Sequence, residues 1–156
     1  MLKNKSLSFE FRRKWGMVMS VMIYGAACSS TRKAKEWFKK NNIDYVERNI
    51  LKEPLTVPEL QQILGRTVEG TEEIISTRSK VYKELNVDID SLPLQGLLEL
   101  IHKHPRLLRS PIMLDEKRLQ VGFHIDDIRQ FLPRQTREIQ WHRWRMNYLP
   151  MTEIVK

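Results

Sequence analysis

The chain is predicted to fold as an α/β domain around a four-stranded mixed sheet. Three observations carry this. A short apolar strand, an amphipathic helix and a second strand follow one another between residues 20 and 49. A stretch of helical periodicity fills residues 55–105. Two short strands and a last helix then close the domain by residue 133. A helix between two strands is the connection that parallel pairing requires, whereas a short turn suits an antiparallel hairpin. The order is therefore βαβ, helical insert, ββα, with helices covering the sheet. A chain of 156 residues is long enough for one domain with its own core.

The first strand is the apolar run at 20–24, and Gly25 to Ala27 make the turn after it. The helix at 29–41 places Ala34, Trp37 and Phe38 at helical spacing, and the second strand is 44–49. Thr56-Val-Pro-Glu59 has the form of a capping box, with Pro58 early in the helix and Leu60, Ile63 and Leu64 behind it. Gly65 and Gly70 bracket a loop. Residues 71–85 read as one helix carrying Ile74, Ile75, Val81 and Leu85. Ser91 is expected to cap a helix with Leu94, Leu97, Leu98 and Ile101, which ends before Pro105. Residues 111–114 and 118–121 form a hairpin around Asp115-Glu-Lys117, and Gly122 ends it. Ile125, Ile128, Phe131 and Leu132 mark an amphipathic helix that stops at Pro133.

Residues 1–18 are expected to be a disordered N-terminal extension, with Met1, Met17, Met19 and Met22 as alternative starts. They have neither the apolar run nor the cleavage site of a signal peptide. The domain is then 19–133, and 134–156 is a basic helix and tail carrying Arg134, Arg137, Arg143 and Arg145 with Trp141 and Trp144. Two readings stand for this tail. It is a solvated terminal helix whose indoles can rest on the domain, or a nucleic-acid contact made by arginine and aromatic groups.

Twenty-seven Lys and Arg against 19 Asp and Glu leave a net charge of +8, which favours acidic partners. No apolar run reaches membrane-spanning length, so a cytoplasmic protein with no membrane partner is expected. One cysteine excludes an internal disulfide and a Cys-only zinc site. His102, His104, His124 and His142 lack ligand spacing with it, so neither a metal nor a cofactor is expected.

That cysteine, Cys28, lies in Met22-Ile-Tyr-Gly-Ala-Ala-Cys-Ser-Ser-Thr-Arg-Lys33 at a predicted helix start. Free backbone N–H groups at a helix start favour an anion, and a thiolate there is reactive. Cys28 is accordingly either a redox-sensing thiol or an inert remnant. Arg78, Arg109 and Arg118 form either an oxyanion cradle beside it or structural contacts. In the structural reading Arg78 and Arg118 pair with carboxylates and stiffen the insert; the structural reading is preferred for Arg109 and Arg118, and a mixed role for Arg78. Gly70 is either a turn glycine or a point of close backbone approach.

The element order resembles the thioredoxin-like ArsC family of arsenate reductases, and most closely its transcriptional branch, the Spx regulators. The resemblance runs from about residue 19 to 137. It rests on Tyr45-Val-Glu-Arg-Asn-Ile50, Glu73-Ile-Ile-Ser-Thr-Arg-Ser-Lys80, Leu92-Pro-Leu94, His104-Pro105, Leu107-Leu-Arg109, Pro111-Ile112, Asp115-Glu-Lys-Arg-Leu-Gln-Val-Gly122 and Phe131-Leu-Pro-Arg134. It implies a thioredoxin-like fold with Pro111 in cis. It implies no enzymatic reaction, but a protein that binds the C-terminal domain of the RNA polymerase α subunit and redirects transcription under thiol or oxidative stress. Promoter DNA is then met only as part of the polymerase complex. Turnover by the ClpXP protease and an adaptor is also implied. The α-binding loop corresponds to Gly65-Arg-Thr-Val-Glu-Gly70, which puts Arg66, Thr67, Glu69 and Gly70 in the contact.

Two departures matter. The second cysteine of the family's sensing pair falls on Thr31, leaving Cys28 without a resolving thiol. The arginine expected before Pro111 is Ser110. The alternative is an arsenate reductase using Cys28 as nucleophile and an external thiol such as glutathione or glutaredoxin.

Overall fold

The structure, a computed structural model, describes residues 20–148. The expectations for residues 1–18, including Met1 and Met17 as starts, and for Met19 lie outside the described residues. Met22 lies inside the first strand.

Four strands form one sheet in the order β2-β1-β3-β4. The strand β1 (Val21–Gly25) runs parallel to β2 (Tyr45–Asn49), with Val21 opposite Tyr45. The helix α1 (Ser29–Lys40) makes the crossover. On its other side β1 pairs antiparallel with β3 (Ile112–Leu114), and β3 pairs antiparallel with β4 (Leu119–Val121). The Asp115–Lys117 turn thus joins two paired antiparallel strands. The buried Asp115 carboxylate holds that turn by accepting the Lys117 and Arg118 N–H groups at 2.8 and 2.7 Å.

Period-two alternation divides the core between the sheet faces. Val21, Ile23 and Met113 face α1 and the segment after β4, packing with Ala34, Phe38, Ile128 and Phe131. Phe38 meets Trp37 and Phe131 edge-on, with ring centroids 5.2 and 5.7 Å away. The opposite face carries Ile112, with Leu114, Leu119 and Val121 packed against Leu60, Ile63, Ile74, Leu98 and Ile101. These last residues come from α2 (Val57–Leu64), α3 (Thr71–Ile74) and α5 (Leu94–Lys103). The capping box of α2 is complete: Glu59 N–H donates to the Thr56 hydroxyl, and the Glu59 carboxylate accepts the Thr56 N–H.

Three local expectations are corrected. Residues 71–85 are not one helix. After α3 the chain becomes extended at Ile75, which bridges to Leu108, and helix resumes only as α4 (Lys80–Leu85). The Ser76 N–H and the Arg109 N–H each donate at 2.7 Å across this bridge, so long-range pairing overrides the local periodicity. Ser91 does not cap α5. Its hydroxyl donates backwards to the Asp88 carbonyl at 2.7 Å, closing a short 3-10 turn, and Pro93 takes the cap position. Residues 125–132 hold a 3-10 turn, Asp127–Phe131, rather than an α-helix, and Ile125 is exposed. Ile128 and Phe131, three apart, still share the buried side, as 3-10 geometry allows.

The helix α6 (Arg134–Tyr148) is solvated and buries no residue. Trp141 and Trp144 are both exposed. Trp141 and Trp144 stack on each other at 5.1 Å, and Trp144 stacks on Tyr148 at 5.7 Å.

Candidate functional site

Cys28 takes the cap position of α1 in an extended conformation and its side chain is exposed. Its own N–H turns back to the Ala26 carbonyl at 2.8 Å, while its carbonyl accepts the Arg32 N–H and starts the helix. One turn later the helix places the Thr31 hydroxyl 3.1 Å from the sulfur. The chain before β3 brings Ser110 to the same point. Its hydroxyl lies 3.2 Å from that of Thr31 and 3.7 Å from the sulfur, and accepts the Ala26 N–H at 2.8 Å. The residues just before Ser110 are pinned by the Ile75–Leu108 bridge. The Ser110–Pro111 peptide is cis, as the resemblance implied.

Gly25 completes the site. A Cβ there would lie 2.5 Å from the Thr31 Cγ2 and 2.8 Å from its Oγ1. The end of β1 therefore has to be bare for buried Thr31 to sit against it.

Burial of the sulfur works against the thiolate. It is outweighed by hydrogen bonds from the Thr31 hydroxyl and N–H, then from the Ser110 hydroxyl and the Ser30 N–H, and the Cys28 thiol is held below its ordinary range. No cation contributes to that lowering. The Ser110 hydroxyl has one proton to give, so it donates either to the sulfur or to the Thr31 hydroxyl, while the Ala26 N–H donates to Ser110 in both cases.

Arg109 donates from Nε to the Ile75 carbonyl at 3.0 Å. Arg118 donates to the Gln130 carbonyl and pairs with Asp115 at 3.9 Å. Arg78 is exposed and has neither a hydrogen bond nor an ion pair among the described residues, so it does not pair with a carboxylate. None of the three bonds to Cys28, Thr31 or Ser110 among the described residues.

The loop between α2 and α3 lies elsewhere on the surface. Arg66 donates to the Asp115 carbonyl, and the Thr67 hydroxyl donates to the Leu64 carbonyl at 2.7 Å. The Val68 and Glu69 N–H groups donate to the Glu73 carboxylate at 3.0 and 3.3 Å. Val68 is 95% exposed. Gly70 has φ 73° and ψ −136°, a conformation that L side chains rarely adopt, and nothing lies within 4 Å of where its Cβ would be. Its conformation, rather than crowding within the chain, requires glycine.

Among the described residues no group of three or more His, Cys, Asp or Glu could hold a metal ion, and no helix is long and apolar enough to cross a membrane. His102 contacts the Leu55 carbonyl through Nδ1 at 2.8 Å. Sequence reasoning missed the joint action of Gly25 and Ser110 at Cys28. The only trace of it was the three-residue spacing of Cys28 and Thr31 and the hydroxyl before Pro111.

The sequence pattern of the ArsC family matches residues 24–131. The chain is 70% identical over 129 residues to the global transcriptional regulator Spx 2 of Oceanobacillus iheyensis, covering 83% of this chain and 96% of that one. It is 54% identical over 122 residues to the global transcriptional regulator Spx of Bacillus subtilis, covering 78% and 93%. Among solved structures, an ArsC family related protein from Bacteroides fragilis superposes with a TM-score of 0.66 at 26% identity, over 73% of this chain and 98% of that one. The arsenate reductase from Vibrio cholerae superposes with a TM-score of 0.61 at 25% identity, over 73% and 96%.

Proposed function

The chain belongs to the ArsC family and, within it, to the Spx transcriptional regulators, and from that premise we propose that it acts by binding the C-terminal domain of the RNA polymerase α subunit. The observation that carries this is high identity, along nearly the whole length of the relatives, to proteins named as global transcriptional regulators. The docking surface is the 65–70 loop. Arg66 and Thr67 are spent on backbone carbonyls and shape the loop, whereas exposed Val68 and Glu69 and the open backbone at Gly70 are free to meet a partner. Occupying the α domain redirects the polymerase, and promoter DNA is met within that complex. Turnover by ClpXP with an adaptor belongs to the same reading.

Titration of the purified α domain with this protein tests it. Saturable binding is expected. An absence of binding, together with arsenate turnover that depends on Cys28, overturns the regulator reading.

A specific observation favours a reductase as the second reading: Cys28 is exposed and its pKa is lowered. Thiolate attack on an oxyanion also needs positive charge to neutralise the transition state and an external thiol to finish the cycle. The sulfur's partners here are two hydroxyls and backbone N–H groups, all neutral.

A further inference from the structure

A cleft of about 460 Å³ lies between the edge strand β4, α3 and the 3-10 turn at Asp127–Phe131. Glu73, Asp126 and Asp127 supply three carboxylates to its wall, on a chain whose net charge is +8. Asp126 and Asp127 have neither an ion pair nor a side-chain hydrogen bond among the described residues. Glu73 spends Oε2 on the Val68 and Glu69 N–H groups and keeps Oε1. The cations on the neighbouring segments are engaged elsewhere, Arg118 with Asp115 and the Gln130 carbonyl, Arg129 with the Gln140 side chain at 2.9 Å.

A second observation is independent of these charges. Gln120 lines the same cleft and is only 5% exposed. Its Nε2 donates to the Gly122 and His124 carbonyls at 3.2 and 3.3 Å, while its Oε1 is buried with no partner. Flipping the amide would turn its oxygen towards two carbonyls, so the orientation is set. A buried acceptor without a donor is unusual in a folded protein.

Gln130 adds one side-chain amide to the wall, but the three carboxylates and the buried Gln120 oxygen make its polar surface mostly acceptor, with no cation among the lining residues. The carboxylates are too dispersed to hold a metal ion. They suit a group with several N–H donors spread in space, which describes a guanidinium or an ammonium. Leu119 and Val121 on the same wall give the methylene stem of such a side chain an apolar surface. We propose that this cleft receives the arginine or lysine side chain of a protein docked on the 65–70 loop. The choice of a docked protein rests on the function proposed above, because Glu73 both lines the cleft and holds the loop residues leading into Gly70.

The test uses the full chain, ¹⁵N-labelled, with N-acetyl-arginine methylamide as probe and N-acetyl-glutamine methylamide as neutral control. Saturable shifts at the Gln120 side-chain amide are expected with the arginine probe alone. They should disappear in Asp126→Asn/Asp127→Asn, whose positions are exposed and leave the fold intact. In a second arm, that double variant should bind the α domain at least tenfold more weakly than the parent chain. If the arginine probe gives no saturable shift at Gln120, the proposal is overturned whatever the α domain does. If the probe saturates but α affinity is unchanged in the variant, the cleft serves a free small cation and the docked-protein source is overturned. If the parent chain does not bind the α domain at all, the proposed function and the docked source fall together, and the probe arm still decides whether the cleft takes a cation.

Discussion

The Thr31 hydroxyl stands 3.1 Å from the Cys28 sulfur, at the position that a Cys-x-x-Cys pair gives to its second thiol. The substitution removes the disulfide and keeps a donor. Cys28 is thereby left with a stabilised thiolate and no internal resolving partner.

The thiol should consequently titrate below an ordinary cysteine. The rate of iodoacetamide alkylation against pH measures this. Thr31→Val preserves the shape and removes the donor, so its profile should move to higher pH. Ser110→Ala should move it the same way but less, because that hydroxyl is 3.7 Å from the sulfur. An unchanged profile in Thr31→Val would sink the account of the lowered pKa.

Oxidants should leave no intramolecular disulfide. Diamide or peroxide is expected to add a mixed disulfide or a sulfenic acid at Cys28, visible as a mass increase on its peptide. Any oxidant effect on polymerase binding should vanish in Cys28→Ala. A response that survives this substitution shows that Cys28 is not the sensor.

Gly25→Ala should destabilise the fold by about 1–3 kcal/mol, the usual result of forcing a methyl into a packed contact. The added carbon meets the Thr31 Cγ2 at 2.5 Å. Thr31→Ala in the same chain removes that atom and should recover part of the loss. Urea midpoints of the two single variants and the double variant measure it, and strict additivity would disprove the contact.

Gly70→Arg separates folding from binding. The backbone conformation costs a non-glycine residue about 1–3 kcal/mol, but the added Cβ has nothing within 4 Å of it. The circular dichroism spectrum should therefore be retained while α-domain binding is lost. Full binding by the variant would remove this loop from the interface.

The Thr56–Glu59 box makes stability depend on acid. Burial pushes the Glu59 pKa up, but the Thr56 N–H and the Arg48 guanidinium at 2.6 Å outweigh it and hold the carboxyl below its ordinary range. The folded pKa is the lower one, so this stabilisation is complete above the unfolded value of about 4.3 and is lost as pH falls through the folded value. Glu59→Gln should flatten the urea midpoint in that acidic window. Thr56→Ala should cost about 1 kcal/mol at neutral pH as well, through the lost cap.

Features that depend on neighbours within one helical turn or one strand were legible from residues alone. The apolar run of the first strand, the capping box at Thr56 and the placing of Cys28 at a helix start are of this kind. So is the absence of a disulfide. The environment of Cys28 was not legible, because Thr31 and Ser110 are 79 residues apart and meet only through the sheet order. The helix break at Ile75 escaped for a related reason: a bridge to Leu108 outweighs propensities worth only tenths of a kcal/mol per residue. The use of Ser91 is a local exception, because a serine hydroxyl can serve the helix that follows or the turn that precedes, and here it donates to the Asp88 carbonyl three residues back. Sequence pattern records what each segment prefers on its own. Which arginines are spent on carbonyls, which acceptor is buried without a donor and which carboxylates line one cleft depend on how the packed segments meet, and those contacts exist only after the chain has folded.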